Sequence, residues 1–181
     1  MSFAVSIHAE SLRLQALIDD IIKLSELDEG GEAQKQPVDL FALAEDALSA
    51  LKPLADEKEI SARVEGEHVA MMAQQNQMHE LLFNLIDNGI KYNKQGGELT
   101  VSIEKEGGRV QIRVWDTGIG IPKDKLSRVF ERFYRVDSSR SRQTGGTGLG
   151  LSIVKHIALV HGGSVEVESE EGNYTEVKVL I

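Results

Sequence analysis

The sequence predicts an α+β fold, a two-layer sandwich in which about three helices cover a mixed, mostly antiparallel sheet. Some stretches of the chain carry apolar residues at helical spacing, and others alternate apolar and polar residues as half-buried strands do. With 181 residues the chain can bury one sizeable core and still carry a small appendage. Helices packed on one sheet bury both kinds of apolar face together.

An amphipathic helix is predicted over residues 4–28, ahead of the globular part of the chain. Its apolar stripe is wide and lies near heptad spacing, with members Ile7, Leu14, Leu17, Ile21 and Leu24. A face this broad needs partner helices to cover it. The pair Gly30-Gly31 then ends the helix. We therefore divide the chain into a helix at 1–29, a polar linker at 30–36 and a globular domain at 37–181.

The elements of the globular domain follow from the same two patterns. Helices are predicted where apolar residues recur at helical spacing: Leu40–Ala55, Gln75–Tyr92, Lys123–Phe133 and Leu149–His161. Strands are predicted where apolar and polar residues alternate: Ile60–Glu65, Leu99–Glu104, Arg109–Trp115, Ser164–Glu168 and Thr175–Ile181. The pair Gly107-Gly108 separates the second and third of these strands, so we expect them to form a hairpin.

The composition excludes several classes of function. The net charge is −9 and no block is rich in Lys or Arg, which argues against a nucleic-acid partner. There is no cysteine, and the five histidines lack the spacing of metal ligands, so thiol catalysis and structural zinc are not expected. No apolar run is long enough to cross a membrane. We expect a soluble, cytoplasmic chain, and the sequence leaves open whether a longer parent protein is a membrane sensor.

Two glycine-rich runs carry the strongest functional signal. They are Asp116-Thr-Gly-Ile-Gly-Ile-Pro122 and Thr144-Gly-Gly-Thr-Gly-Leu-Gly-Leu-Ser152. Glycines remove the side chains that would hold a backbone away from an anion, and they allow positive φ. The second run ends where a helix is predicted to begin, so it brings backbone N–H groups and the positive end of a helix dipole together. This arrangement favours a bound phosphate, and the alternative is a pair of tight turns.

The helix at 75–92 has an unusual polar face. Asn84 and Asn88 are four residues apart, so they share that face, and Lys91 and Tyr92 extend it. Asn is a poor residue for a helix interior because its side chain competes for backbone hydrogen bonds. Its amide oxygen is a neutral hard ligand, suited to a Mg²⁺ ion that already carries nucleotide phosphates. The alternative is two exposed polar residues on a surface helix.

Four segments together resemble the sequence boxes of sensor histidine kinases. The segments starting at Asn84, Asp116, Arg128 and Gly145 are similar to the asparagine, first glycine, phenylalanine and second glycine boxes, in that order. The resemblance covers roughly residues 37–181. It implies the Bergerat fold, ATP and Mg²⁺ as the bound groups, and protein-histidine kinase activity in two-component signal transduction.

The resemblance implies a role for each matching residue. Asp116 corresponds to the adenine reader, and Gly118 and Gly120 belong to the same nucleotide-binding box. Asn88 corresponds to the Mg²⁺ ligand, with Asn84 supporting metal or phosphate from one turn away.

The remaining matches concern the phosphates. Lys91 corresponds to a phosphate contact and Tyr92 to a ring beside the nucleotide. Arg135 corresponds to an arginine aimed at the γ-phosphate, so the residues implied in catalysis are Asn84, Lys91 and Arg135. The second glycine box contributes Gly146, Thr147, Gly148, Leu149 and Gly150. A polar lid is expected over 136–146, with Arg140 and Arg142 as further phosphate candidates.

Two differences from related sequences determine the activity that we expect of the chain. ATP-hydrolysing members of the superfamily carry a water-activating Glu where this chain has Asn84, which cannot accept a proton at neutral pH. No segment matches the motif around a phospho-accepting histidine, and His8 is interpreted as a plain helix residue. The helix at 1–29 is interpreted as the second helix of a dimerisation hairpin.

We therefore expect the chain to bind Mg·ATP and to transfer its γ-phosphoryl group to a histidine on a hairpin domain supplied from elsewhere. A response regulator would receive the phosphoryl group next, and the parent protein is expected to be a homodimer. Two alternatives are a nucleotide-responsive binding module without phosphoryl transfer and a Ser/Thr kinase of the anti-sigma type. The hairpin-like helix and the box around Arg128 argue against the last.

Overall fold

The computed structural model describes residues 34–136 and 146–181, together with these helical positions near the N-terminus: Ser11, Leu14, Gln15, Leu17, Ile18, Ile21, Ile22 and Ser25. Most of the predicted first helix, including His8, lies outside the described residues. So does the greater part of the predicted lid, with Arg140 and Arg142. The division of the chain at 29 and 36 remains a prediction.

Three helices and seven strands make up the described domain. The helices are α1 (Leu40–Glu57), α2 (Gln75–Lys91) and α3 (Gly150–Val160). The strands are β1 (Gln36–Asp39), β2 (Ser61–Gly66), β3 (Ala70–Ala73), β4 (Glu98–Glu106), β5 (Arg109–Asp116), β6 (Ser164–Glu170) and β7 (Tyr174–Leu180). No helix among the described residues combines the length and apolar character needed to span a bilayer.

Five strands form one sheet in the order β2-β4-β5-β7-β6. The pair β2–β4 is parallel, and the other three pairs are antiparallel. The predicted mixed, mostly antiparallel sheet under about three helices is therefore confirmed. The predicted hairpin across Gly107-Gly108 is also confirmed, since β4 and β5 pair from Leu99–Asp116 down to Glu106–Arg109.

The core lies between the helix layer and one face of the sheet. Alternation places Leu99, Val101 and Ile103 of β4 on this face, and all three are fully buried. The helices supply the opposing layer, with Leu81, Leu82, Leu85 and Ile86 of α2 among its buried members. Gly89 allows the close approach of α2 to the sheet, because a Cβ there would lie 2.5 Å from Cδ1 of Leu99.

The structure corrects the prediction of a helix over Lys123–Phe133. Only Leu126–Arg128 forms one turn of 3-10 helix. The segment is held by bonds between residues three apart, as from Arg128 N to Lys125 O and from Glu131 N to Arg128 O. Phe133 has a φ of 64°, which is incompatible with a continuing helix. Because Val129 is buried and most of its neighbours are exposed, the segment has no apolar face to stabilise a long helix.

A second, two-stranded sheet was not predicted. In it β1 pairs antiparallel with β3, from Gln36–Ala73 to Asp39–Ala70. These strands have four residues each, too short for alternation to identify them. Asp39 ends β1 and also caps α1, since its Oδ1 accepts hydrogen bonds from the amides of Phe41 and Ala42.

Candidate functional site

The two asparagines of α2 face the start of α3. Asn84 donates from Nδ2 to the backbone oxygen of Glu80 at 2.8 Å and to its carboxylate at 3.2 Å. With the amide nitrogen engaged there, Oδ1 points the other way. A Cβ on Gly150 would lie 2.9 Å from that oxygen and 3.5 Å from Nδ2 of Asn88. The missing side chain at Gly150 therefore leaves a cradle between the carboxamides and the helix start.

The first turn of α3 presents backbone N–H groups at this cradle. The first intrahelical bond runs from Ile153 N to Leu149 O, and no side chain in the described part of the chain caps the turn. Leu149 is fully buried and anchors the turn against the core. The helix begins at Gly150, so its amides and the positive end of its dipole lie beside Asn84 and Asn88.

The second glycine run follows the polar face of α2 toward its end. A Cβ on Gly146 would lie 3.2 Å from the hydroxyl of Tyr92 and 3.9 Å from Nη2 of Arg135. Asn84 and Tyr92 are eight residues apart, about 12 Å along a helix axis, a span that an extended chain covers in about four residues. The structure therefore brings Asn84, Asn88, Tyr92 and Arg135 to one stretch of backbone.

Gly148 fixes how this run meets the segment that contains Arg135. Its φ is 78°, and its carbonyl oxygen accepts a hydrogen bond of 3.0 Å from the amide of Phe133. A Cβ there would lie 2.9 Å from the backbone of Phe133. Leu149 N donates to the hydroxyl of Thr147 at 3.3 Å, which shapes the turn before α3.

Asp116 lies at the end of β5, at the edge of the sheet next to the end of α2. Its side chain is 6% exposed, and Oδ1 accepts a hydrogen bond of 2.8 Å from Gly118 N. Burial raises its pKa from 3.8 to about 6, while the Gly118 bond and the positive charge of Lys94 act in the opposite direction. The group is therefore still mostly ionised at neutral pH, where its carboxylate can accept a further hydrogen bond.

The loop after β5 is bound to the end of α2 by its backbone. Ile119 N donates to the carbonyl of Tyr92 at 3.0 Å. A Cβ on Gly118 would overlap that carbonyl, and a Cβ on Gly120, where φ is 64°, would overlap the carbonyl of Glu170. Both glycines of the first run are thus required for close backbone contact.

Lys91, also predicted for the site, forms an ion pair with a residue of its own helix. Its ammonium group pairs with Oδ2 of Asp87 at 2.6 Å, one turn away on α2, and its side chain is 34% exposed. The Asp87 side chain is 16% exposed, so the pair is partly buried, and Lys91 would have to leave this contact to reach a phosphate.

Three residues that shape the site were not predicted. Lys58 donates from Nζ to the carbonyl oxygens of Ile90 and Lys91, at 2.9 and 2.6 Å, and so caps the end of α2. Asn93 is buried and accepts a hydrogen bond of 3.3 Å from the hydroxyl of Thr117. These contacts join residues far apart in sequence, so no local pattern predicts them. The pair Gly96-Gly97 is the local sequence feature beside them, and a Cβ on Gly97 would overlap Oδ1 of Asn93.

The donor set suits a hard cation shared with phosphate. The amide oxygens of Asn84 and Asn88 are ligands of the type that Mg²⁺ accepts when phosphates and water complete its shell. Within residues 34–136 and 146–181, no group of three or more His, Asp or Glu side chains is placed to hold a metal alone. A metal held by Asn84 and Asn88 would take its remaining ligands from outside these two side chains, such as phosphate oxygens and water.

Comparison with known proteins assigns the class to which this fold and site belong. Residues 73–181 match the family of histidine kinase-, DNA gyrase B- and HSP90-like ATPases. The chain belongs to this family. Among curated relatives, the sensor-like histidine kinase SenX3 of Mycolicibacterium smegmatis is 42% identical over 173 residues, 94% of this chain. The chain spans 45% of the length of that relative.

Comparison with solved structures assigns the domain to a narrower class within this family. The mycobacterial sensor histidine kinase MprB superposes with a TM-score of 0.70 at 26% identity, over 81% of this chain and 96% of that one. ShkA, solved at full length in complex with AMPPNP, superposes with a TM-score of 0.79 at 28% identity, over 92% of this chain and 35% of that one. The domain has the Bergerat fold and is a histidine kinase catalytic, ATP-binding domain of two-component signal transduction.

Proposed function

We propose that the chain binds Mg·ATP between α2 and α3 and transfers the γ-phosphoryl group to a histidine on a separate hairpin domain. The main support is the cradle at Gly150, where Oδ1 of Asn84 lies 2.9 Å from the position of a Cβ. Phosphates would be received by the first-turn amides of α3, and adenine by the carboxylate of Asp116. This pairing of amide donors with a positive helix end fits a nucleotide and its metal better than a structural turn does.

In the proposed reaction a nitrogen lone pair of the neutral acceptor imidazole attacks the γ-phosphorus. The N–P bond forms as the bond to the β,γ-bridging oxygen breaks, and that electron pair leaves with ADP. The proton on the other imidazole nitrogen passes to a group near the acceptor. The catalytic chain supplies positioning and positive charge, from Arg135 and Lys91, where the transferred group carries negative charge. Mg²⁺ held by Asn88 and Asn84 would neutralise phosphate charge when bound.

Transfer is proposed over hydrolysis because no base is placed at Asn84. A carboxamide cannot accept a proton at neutral pH. The nearest carboxylate on α2, that of Glu80, already accepts a hydrogen bond from Asn84 Nδ2 at 3.2 Å. Water bound near the γ-phosphate would therefore be poorly activated.

The proposed partners are the hairpin domain and a response regulator that accepts the phosphoryl group from its histidine. The N-terminal helix would be the second helix of that hairpin in a homodimeric parent. Its described apolar residues are largely exposed in the single chain: Leu14, Ile18, Ile21 and Ile22 are each more than 40% exposed. Partner helices would cover this face.

The test is phosphoryl transfer from γ-labelled ATP. The chain alone should bind ATP and acquire no label, and a separately supplied hairpin domain with its histidine should acquire acid-labile label when the chain is added. The same hairpin with its histidine replaced by Gln is the control. Binding of ATP without transfer to several related hairpins would support the alternative, a nucleotide-responsive binding module. Label on the chain itself would contradict the absence of an acceptor.

A further inference from the structure

The sheet face that points away from the helices carries a row of side chains unrelated to the nucleotide site. The strand register aligns one residue from each strand of the five-stranded sheet: Arg63, Thr100, Trp115, Glu176 and Glu168. Trp115 is the single tryptophan of the chain and is half-buried. Asp116 follows it directly, and neighbouring strand residues point to opposite faces. A partner on Trp115 would therefore leave the nucleotide site accessible.

A cavity of about 190 Å³ opens on this row. It is lined by Arg63, Thr100, Trp115 and Glu176, with Glu65 and Arg113 from the adjoining row. Thr100 is 6% exposed, and its buried hydroxyl oxygen has no hydrogen-bond partner in the part of the chain that the structure describes. Buried hydroxyl groups are ordinarily bonded, so this one marks a place where a ligand group would complete the bonding.

The charges of this face favour a cationic ligand. Three of its four basic strand residues are paired within the chain: Arg63 with Glu65 at 3.3 Å, Arg113 with Glu104 at 3.0 Å and Lys178 with Glu106 at 3.6 Å. The fourth, Arg109, lies at the far end of β5, six residues from Trp115. In contrast, Glu166 and Glu176 form no ion pair among the described residues, and Glu168 accepts a hydrogen bond from the neutral hydroxyl of Tyr174. The face therefore has an excess of negative charge beside an aromatic ring.

We propose that this open sheet face docks a basic segment of a partner protein, anchored by an arginine side chain on Trp115. A guanidinium group can stack on an indole ring and still donate hydrogen bonds in its plane. The carboxylate of Glu176, next to Trp115 across β5 and β7, and the hydroxyl of Thr100, next to it across β4 and β5, are the acceptors on either side. An anionic ligand would instead meet the carboxylates of Glu176 and Glu65, and the two arginines that line the cavity, Arg63 and Arg113, are already paired with carboxylates.

Fluorescence of Trp115 tests the proposal, because no other tryptophan contributes to the signal. The probe is the peptide acetyl-Gly-Arg-Arg-Gly-amide, titrated at low ionic strength. Its control has both arginines replaced by citrulline, which is neutral and nearly isosteric. A saturable change in emission is expected with arginine and not with citrulline. The same response to both peptides, or no saturable response to arginine, would overturn the proposal.

Matched variants separate a site from general charge attraction. Glu176→Gln should weaken arginine-peptide binding by about threefold to tenfold. Glu45→Gln removes the same charge from an exposed position on α1, on the helix layer, and should leave peptide binding unchanged. If both variants weakened peptide binding equally, the binding would be due to the net charge of the protein, and the proposed docking site would be overturned. The affinity for ATP should be unchanged in both variants, and this measurement verifies that each variant is folded.

Discussion

The amide N–H of Gly118 donates a 2.8 Å hydrogen bond to Oδ1 of Asp116, two residues earlier in the chain. A Cβ on Gly118 would lie 2.5 Å from the same oxygen. Glycine is therefore needed for the bond to form, and the bond fixes the plane of the buried carboxylate. The other oxygen, Oδ2, is the one that we expect to accept the exocyclic amine of adenine.

Asp116→Asn should weaken ATP binding. The amide can turn its NH₂ group toward the adenine amine, which replaces a hydrogen bond with two facing donors. An unmade bond at a buried position costs roughly 1–3 kcal/mol, or about tenfold to a hundredfold in affinity. Calorimetric titration with ATP and GTP measures the change, and GTP affinity should fall less. Wild-type ATP affinity in the variant would remove Asp116 from the adenine site.

The same residue should make the stability of the nucleotide-free domain depend on pH. Burial raises the pKa of Asp116 from 3.8 to about 6, so the folded state binds its proton more tightly than the unfolded state does. The stability that the folded domain gains by holding this proton is fully present below about pH 4 and is lost as the pH rises through about 6. At neutral pH the buried carboxylate costs up to about 3 kcal/mol.

Asp116→Asn should therefore unfold at higher urea concentration than wild type near neutral pH, and the difference should shrink toward about pH 4. Urea unfolding across this range provides the measurement. The exposed Glu45→Gln variant controls for the loss of one negative charge. A wild-type-to-variant difference that is constant with pH would mean that the Asp116 carboxylate is not penalised by burial.

Asn88→Ala should weaken Mg·ATP binding by about tenfold or more, with a much smaller loss for ATP in the presence of a chelator. The lost contact belongs to the metal, so it matters only when the metal is present. Asn84→Ala should give a smaller difference between the two conditions. Equal losses with and without Mg²⁺ would assign Asn88 to the phosphates or to the fold.

Gly150→Ala should separate ligand binding from folding. The new Cβ would meet Oδ1 of Asn84 at 2.9 Å, and the end of a side chain can turn away at little cost to the fold. Alanine also raises helix propensity at the start of α3, which offsets part of any strain. Mg·ATP affinity should therefore fall by about threefold to tenfold, since the Asn84 oxygen is displaced. The unfolding temperature should change by no more than a few degrees.

Unchanged Mg·ATP affinity in Gly150→Ala, with the fold intact, would show that the cradle is not the metal and phosphate site. Asn84→Ala combined with Gly150→Ala provides the check on mechanism. Since the glycine change acts through the Asn84 carboxamide, the double variant should be no weaker than Asn84→Ala alone. Additive losses would mean that the methyl group introduced at Gly150 obstructs the nucleotide directly.

Local patterns in the sequence determined the fold class and the residue types at the site. Apolar spacing located α1, α2 and α3, and alternation located β2, β4, β5, β6 and β7, because long amphipathic elements carry their burial in their own sequence. The glycine runs and the Asn84–Asn88 spacing pointed to phosphate and metal for similarly local reasons. The prediction of a helix at Lys123–Phe133 was wrong. A few apolar side chains at helical spacing suggested a helix, but they do not form a buried face that would stabilise one.

Only the tertiary structure decided how these residues meet. Asn84 and Gly150 are far apart in the sequence, and nothing local to either indicates that the carboxamide faces the helix start. The Lys58 cap on α2 and the row of side chains around Trp115 depend in the same way on strand order and helix packing. Periodicity reports whether a side chain is buried, whereas its partner is set by long-range packing, which one sequence does not encode in any local pattern.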